Sequence, residues 1–210
     1  MKKVYLLITL ILFSSCIKSQ NNKETLNHIG GPCEGCEAIY EYGDKHLKNV
    51  DTLPDFNNSN NKIKISGTVY QNDGKNPAKD VIIYIYHTNE KGIYPSNSGS
   101  KGWERRHGYL RGWVKTNKDG KYTFYTLRPA SYPNTTIPQH IHITLKEPDK
   151  NEYYLDDFYF EDDPNLPERM KTKENPRGGS GIVSLQNNGL ISEVTRDIIL
   201  GLNIPSYPIK

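Results

Sequence analysis

Long hydrophobic runs are almost absent from this sequence. The longest, VYLLITLILF at residues 4–13, is too short for a comfortable membrane-spanning helix. No stretch of helical period is long enough to anchor a core, which argues against a helix bundle or a doubly wound α/β domain. A GxSxG nucleophile motif and a glycine-rich phosphate loop are both missing, so neither a serine hydrolase nor a nucleotide-binding domain has a motif to rest on. Charge of one sign is lacking too: 27 Lys and Arg stand against 24 Asp and Glu, a net +3. Without residues 1–15, which carry Lys2 and Lys3, the balance falls to +1. No nucleic-acid footprint follows from that charge. Cysteine is scarce, at three, and a single CxxC without a second one cannot build a closed zinc site.

The chain begins as an exported protein does. Two lysines, the apolar run and Ser14-Ser15-Cys16 form a signal of the lipoprotein type over residues 1–15, with lipidated Cys16 as the expected membrane anchor on the exported side. A plain secretory signal is the alternative. Residues 16–29 are polar and aperiodic, as a tether should be. Residues 30–61 form an N-terminal segment around Cys33 and Cys36, whose expected fate in an oxidising compartment is a local disulfide.

From Lys62 to the end the chain is a succession of short alternating runs: KIKISGTVY, DVIIYIYHT, YLRGWVKT, GKYTFYTL, QHIHITLK, YLDDFYF, GIVSLQ and SEVTRDIIL. Turn residues such as those of TNKDG and EDDPNLPE punctuate them. The class is all-β, an antiparallel sandwich over residues 62–210. The stretch from His87 to Trp113 is a long Gly- and Ser-rich insertion, and insertions of that length are usually functional or disordered.

Chemistry concentrates between residues 128 and 142. His140 and His142 are two apart in a strand, so both imidazoles point to one face and can reach one ion. Tyr132 is presented from a turn between Pro129 and Pro133, and Tyr94 lies in the insertion. On its own, an HxH in a strand is as readily a half-exposed polar pair, and a lone Tyr94 an aromatic over a sheet edge. The run HIHITLKE also satisfies the HxH(x)4E core of the cupins, with Glu147 as a carboxylate ligand. The framing glycines are missing, however, and Glu147 is an odd number of residues from His142.

Taken together, GIY at 92–94, the hairpin and turn over residues 116–133, HIH at 140–142 and FYFEDDP at 158–164 resemble the intradiol ring-cleavage dioxygenases, the catechol and protocatechuate enzymes. The resemblance covers about half of the chain. It implies a non-haem iron(III) bound by Tyr94, Tyr132, His140 and His142, and Tyr132 as the base that takes a substrate proton. The implied reaction cuts a catecholic ring between its two hydroxyl-bearing carbons, puts both atoms of O2 into a muconate-type dicarboxylic acid and needs no external reductant. Two positions depart from the family pattern. Ile137 stands where an arginine usually precedes the HIH, and Asp157 corresponds to a common glutamine. Arg128 is the expected replacement cation, with Arg105, Arg106 and Arg111 as other sources. A non-catalytic, surface-tethered β-sandwich that keeps a remnant iron site is the rival reading, and those two departures favour it.

Overall fold

The alternation read in the sequence becomes two packed sheets in the computed structural model, which describes residues 28–208. The expected signal, Cys16 and the tether up to residue 27 lie outside the described residues. The strands are β1 (Val50–Thr52), β2 (Lys62–Tyr70), β3 (Ile82–Tyr86), β4 (Arg111–Lys115), β5 (Lys121–Leu127) and β6 (His140–Lys146), followed by β7 (Tyr153–Tyr154), β8 (Phe158–Phe160), β9 (Ile182–Val183), β10 (Gln186–Asn188), β11 (Ile191–Thr195) and β12 (Ile198–Ile199). One sheet runs β1-β5-β2-β11-β10, with β12 also on β2; the other runs β4-β3-β6-β8-β9, with β7 on β6. The long central ladders are antiparallel, β2 with β5 and β3 with β4 and β6. Parallel pairs occur where β1, β11, β12 and β9 join.

Between the sheets lies the main core. Ile63, Ile65, Phe124 and Val194 come from the first sheet and Ile83, Ile85, Val114, Ile141, Ile143 and Leu145 from the second. These positions alternate along their strands, as one buried sheet face requires. The second sheet is unusual in burying its other face as well. There Tyr84 and Trp113 pack with Ala38 and Ile39, contributed by the 3-10 turn Cys36–Tyr40. Fully burying a side chain such as Ile39 stabilises by about 1.5–3 kcal/mol, so residues 36–40 are part of the fold and not a lead-in to it. The fold extends further back still: Ile29, assigned to the tether by its polar surroundings, is buried in the main core, and its backbone N–H donates to Asn151 Oδ1.

The run SEVTRDIIL is divided in the structure. Arg196 crosses Gly67 so closely that a Cβ there would lie 1.9 Å from the Arg196 carbonyl oxygen. Asp197 Oδ1 then accepts the Thr68 N–H at 2.8 Å, a ladder bond supplied by a side chain. β11 and β12 therefore both pair with β2, on either side of this crossing.

One buried titratable group ties stability to pH. His87 is completely buried; its Nδ1–H donates to Thr88 O and its Nε2 accepts from the Thr126 hydroxyl, both at 2.7 Å. Burial pushes the imidazole down to about 4, since no solvent remains to stabilise the imidazolium. A depressed histidine holds its neutral form in the folded state, so its contribution is complete above the unfolded value near 6.5 and is lost as pH falls toward 4. That contribution is on the order of 3 kcal/mol. Denaturant unfolding between pH 7 and 4 should show this loss, and His87→Gln, which can keep both hydrogen bonds, should flatten the slope. An unchanged slope in the variant would exclude His87 as its source.

Candidate metal centre

The outer face of β6 carries the site. Because Ile141, Ile143 and Leu145 point into the main core, His140, His142 and Thr144 must point the other way. His140 begins the strand and His142 pairs in register with Tyr86 of β3. Tyr86 stacks on His142 with ring centroids 4.4 Å apart and on His107 at 3.7 Å. His142 is thereby held flat against the neighbouring strand's aromatic.

Two loops bring the tyrosines over the histidines. In the loop after β3, Asn89 Oδ1 accepts the N–H groups of Lys91 and Ile93, making a tight turn. Gly92 has φ 74°, and a Cβ there would lie 2.0 Å from Ser131 O. The glycine of GIY thus lets this loop press against the SYP turn. Thr88 Oγ1 donates to Ala130 O and Ala130 N–H donates to Asn89 O, which locks the two loops together. Beyond Tyr94, the Tyr109 N–H donates to Pro95 O at 2.8 Å and fixes the far side of the same loop.

Four side-chain atoms converge as a result. Tyr94 Oη lies 2.5 Å from Tyr132 Oη and 2.9 Å from His142 Nε2, Tyr132 Oη lies 3.3 Å from His140 Nε2, and the two Nε2 atoms are 3.2 Å apart. Each imidazole is oriented from behind. His140 Nδ1–H donates to Pro138 O at 2.7 Å and His142 Nδ1 to Asp157 Oδ1 at 3.2 Å. With the protons held at Nδ1, both Nε2 lone pairs face the tyrosine oxygens, the tautomer a metal ligand needs. Two phenols and two imidazoles aimed at one point suit a hard, highly charged cation. Asp157 sits behind this group at His142 Nδ1, and its carboxylate and one nitrogen from each histidine lie within 4.8 Å of one another.

The electrostatics fit such a cation. Burial, then the hydrogen bond with Tyr132, pushes the Tyr94 phenol far above its ordinary value, and burial raises Tyr132 as well. A positive ion must therefore be close for either phenolate to form near neutrality. Burial beside His142 lowers His140, which keeps it neutral and ready to coordinate. Burial alone would raise the Asp157 carboxyl, but the charge and hydrogen bond of His142, the nearby His140 and the Tyr159 hydroxyl outweigh it and hold it below the usual carboxylate range.

The arginines are engaged elsewhere. Arg128, expected as a cation at the site, gives Nη1 and Nη2 to Asp162 at 2.9 and 2.7 Å and Nε to Gln139 at 2.7 Å, and stacks over Phe160. It braces the start of β6 and makes no hydrogen bond to the four converging atoms. Asp163 assists by accepting the Gln139 N–H at 2.6 Å, so the acidic pair of FYFEDDP has a structural explanation. Arg106 pairs with Glu34, Arg111 with Glu41 and Glu104, and Arg105 bonds Ser100 O. Ile137 is exposed. Glu147, the carboxylate of the cupin-like reading, is buried under the Tyr153 and Tyr207 hydroxyls and Lys150, apart from the histidine group.

Sequence reasoning missed three neighbours of the site. Tyr86 stacks on His142, His107 stacks in turn on Tyr86, and the Cys33–Cys36 loop lies against β6. The disulfide itself is present as expected. The near-continuous apolar run of DVIIYIY, aromatic on one face and aliphatic on the other, was the available signal that this strand is covered on both sides.

A family model described as "Dioxygenase" matches residues 38–196. The chain is 36% identical over 104 residues to catechol 1,2-dioxygenase 1 of Acinetobacter lwoffii, covering 50% of this chain and 31% of that protein. It is 25% identical over 154 residues to the protocatechuate 3,4-dioxygenase beta chain of Burkholderia cepacia, covering 69% of this chain and 63% of that one. The matches thus span about a third and just under two thirds of these relatives. In fold it is similar to the dioxygenase domain of a dioxygenase and carbohydrate-binding protein fusion from Streptomyces sp. SirexAA-E, with a TM-score of 0.54 at 20% identity over 73% of this chain and 87% of that one.

If the convergent atoms hold a cation, His140→Ala combined with His142→Ala should abolish metal retention after dialysis. Asp157→Ala should weaken it by about 10- to 100-fold, through loss of the bond that orients His142. Full occupancy in the double variant would show that the ion binds elsewhere.

Proposed function

Because this chain belongs to the intradiol dioxygenase family, we propose that it binds iron(III) through Tyr94, Tyr132, His140 and His142 and cleaves a catecholic ring with O2 between the hydroxyl-bearing carbons, giving a muconate-type dicarboxylic acid. The observation that carries this reading is the convergence of two phenol oxygens and two imidazole Nε2 atoms within 3.3 Å of their neighbours. When bound, iron(III) supplies a Lewis acid that stabilises phenolate and catecholate oxygens and makes the ring reactive toward O2. Tyr132 is the general base: it sits on the SYP turn outside regular structure, with a phenol oxygen bonded to both Tyr94 and His140, and it takes the proton of an entering catechol at Oη. Tyr94 is the more firmly wedged of the two, between the turn at Asn89 and the Pro95 contact. Asp157 and Pro138 keep the imidazoles aimed, and Tyr86 covers one face of His142.

Arg128 acts as a positioning residue in this scheme. Without an arginine at position 137, stabilisation of negative charge on the activated ring falls more heavily on the metal. That same feature supports a second reading, in which the sandwich binds a ligand around a remnant iron site without turnover. We further propose that the protein is exported and held at a membrane through lipidated Cys16, a reading supported by the signal-like residues 1–15 and by the Cys33–Cys36 disulfide, which suits an oxidising compartment.

The test is product analysis. Iron-loaded protein given catechol under 18O2 should yield a ring-opened dicarboxylic acid carrying both labelled atoms. Tyr132→Phe should lower turnover by about 10²- to 10⁴-fold, the usual worth of a positioned base. Iron binding without any product would favour the binding-only reading, and undiminished turnover in Tyr132→Phe would remove that residue from the base role.

A further inference from the structure

The disulfide loop was expected to be a structural pin, yet it lines a cavity shared with His142 of the site and with Asp157 behind it. A space of about 350 Å³ lies between Pro32–Cys36 on one side and Tyr86, His142, Tyr154 and Asp157 on the other. This is near the small end of the range for ligand pockets, about 300–1,000 Å³. It suits one aromatic ring with a small substituent. Several contacts hold the loop. Cys33 and Cys36 are joined, and Cys36 Sγ lies 3.8 Å from Thr144 Oγ1, on the same face of β6 as His142. Gly35 packs so tightly on His107 that a Cβ would lie 2.8 Å from Nε2, and Glu34 pairs with Arg106. The loop lies just ahead of residues 38–196, the stretch that the family model matches.

The chemistry of the lining is one-sided. Its charged side chains are Glu34 and Asp157, both carboxylates. The neighbouring cation, Arg106, is already paired with Glu34. A ring carrying its own carboxylate would face these groups with no unpaired cation among the described lining residues. The tyrosine rings and the disulfide instead offer flat, uncharged surface.

We propose, resting on the catechol-cleaving reading above, that the disulfide-closed loop of residues 33–36 is the specificity wall of the site, admitting catechols with a small uncharged ring substituent and excluding carboxylated ones. Glu34 acts at its rim and the disulfide keeps the wall in place over the side of the cavity opposite Asp157.

The experiment titrates three probes, catechol, 4-methylcatechol and 3,4-dihydroxybenzoate, anaerobically into the iron-loaded full chain, reading Kd from the change in its visible phenolate-to-iron absorption. The wild type should bind 4-methylcatechol at least about tenfold more tightly than 3,4-dihydroxybenzoate. Cys33→Ser with Cys36→Ser should shrink that ratio by about tenfold while leaving the ligand-free band in place. Glu34→Gln, a surface change that keeps the disulfide, should shrink it by about threefold, and it decides the matter if circular dichroism shows the double variant unfolded. The same ratio in all folded proteins, or a wild-type preference for the carboxylate, overturns the proposal while the band and catechol binding leave the catalytic reading standing. A wild type with no band, or with a band indifferent to catechol, overturns both.

Discussion

Everything at the site depends on the two-residue period of β6. A strand that must place Ile141, Ile143 and Leu145 in the core has no freedom over where His140, His142 and Thr144 go. Burial energy therefore fixes the direction of both imidazoles before any hydrogen bond is made. The rest of the molecule supplies what that outer face needs: acceptors behind the rings, tyrosines in front of them and a cover against water. A one-residue slip of β6 would exchange the histidines for isoleucines and destroy core and site together.

The cover explains the arrangement of the polar residues. Two phenols and two imidazoles in mutual contact are costly to desolvate unless each polar atom has a partner. Here the four atoms partner one another, and the second nitrogen of each ring is satisfied by Pro138 O or Asp157. The result is a site whose donors are pre-aimed, so little reorganisation is needed on binding an ion. Asp157, which differs from the family's usual glutamine, becomes intelligible on this view. A carboxylate bonded to His142 Nδ1 strengthens that imidazole as a donor, while lending negative charge to the cavity where the loop of residues 33–36 closes over it.

Much of the sheet structure was legible because it is local. β2, β5 and β6 declare themselves by alternation, and the turns between them by Asn, Asp and Gly. The convergence of Tyr94, Tyr132, His140 and His142 was legible only through the family resemblance, since no rule of spacing predicts that Gly92 will seat against Ser131. What escaped was non-local. β1 pairs with β5 across 73 residues of sequence, and Ile29 reaches the core through Asn151, neither of which leaves a periodic trace. Arg128 was the expected replacement for the cation missing at position 137, but its guanidinium follows the fork of acceptors that Asp162 offers. The division of SEVTRDIIL likewise comes from the close approach of Arg196 to Gly67, a tertiary contact.

The central claim is that two phenolates and two imidazoles hold one ferric ion on the outer face of β6. X-ray absorption at the iron K-edge of the iron-loaded protein tests it most directly. The account predicts a short shell of anionic oxygen, a longer shell of nitrogen and the outer-shell scattering typical of two imidazole rings. An iron environment of sulfur, or of oxygen alone without imidazole scattering, would contradict it.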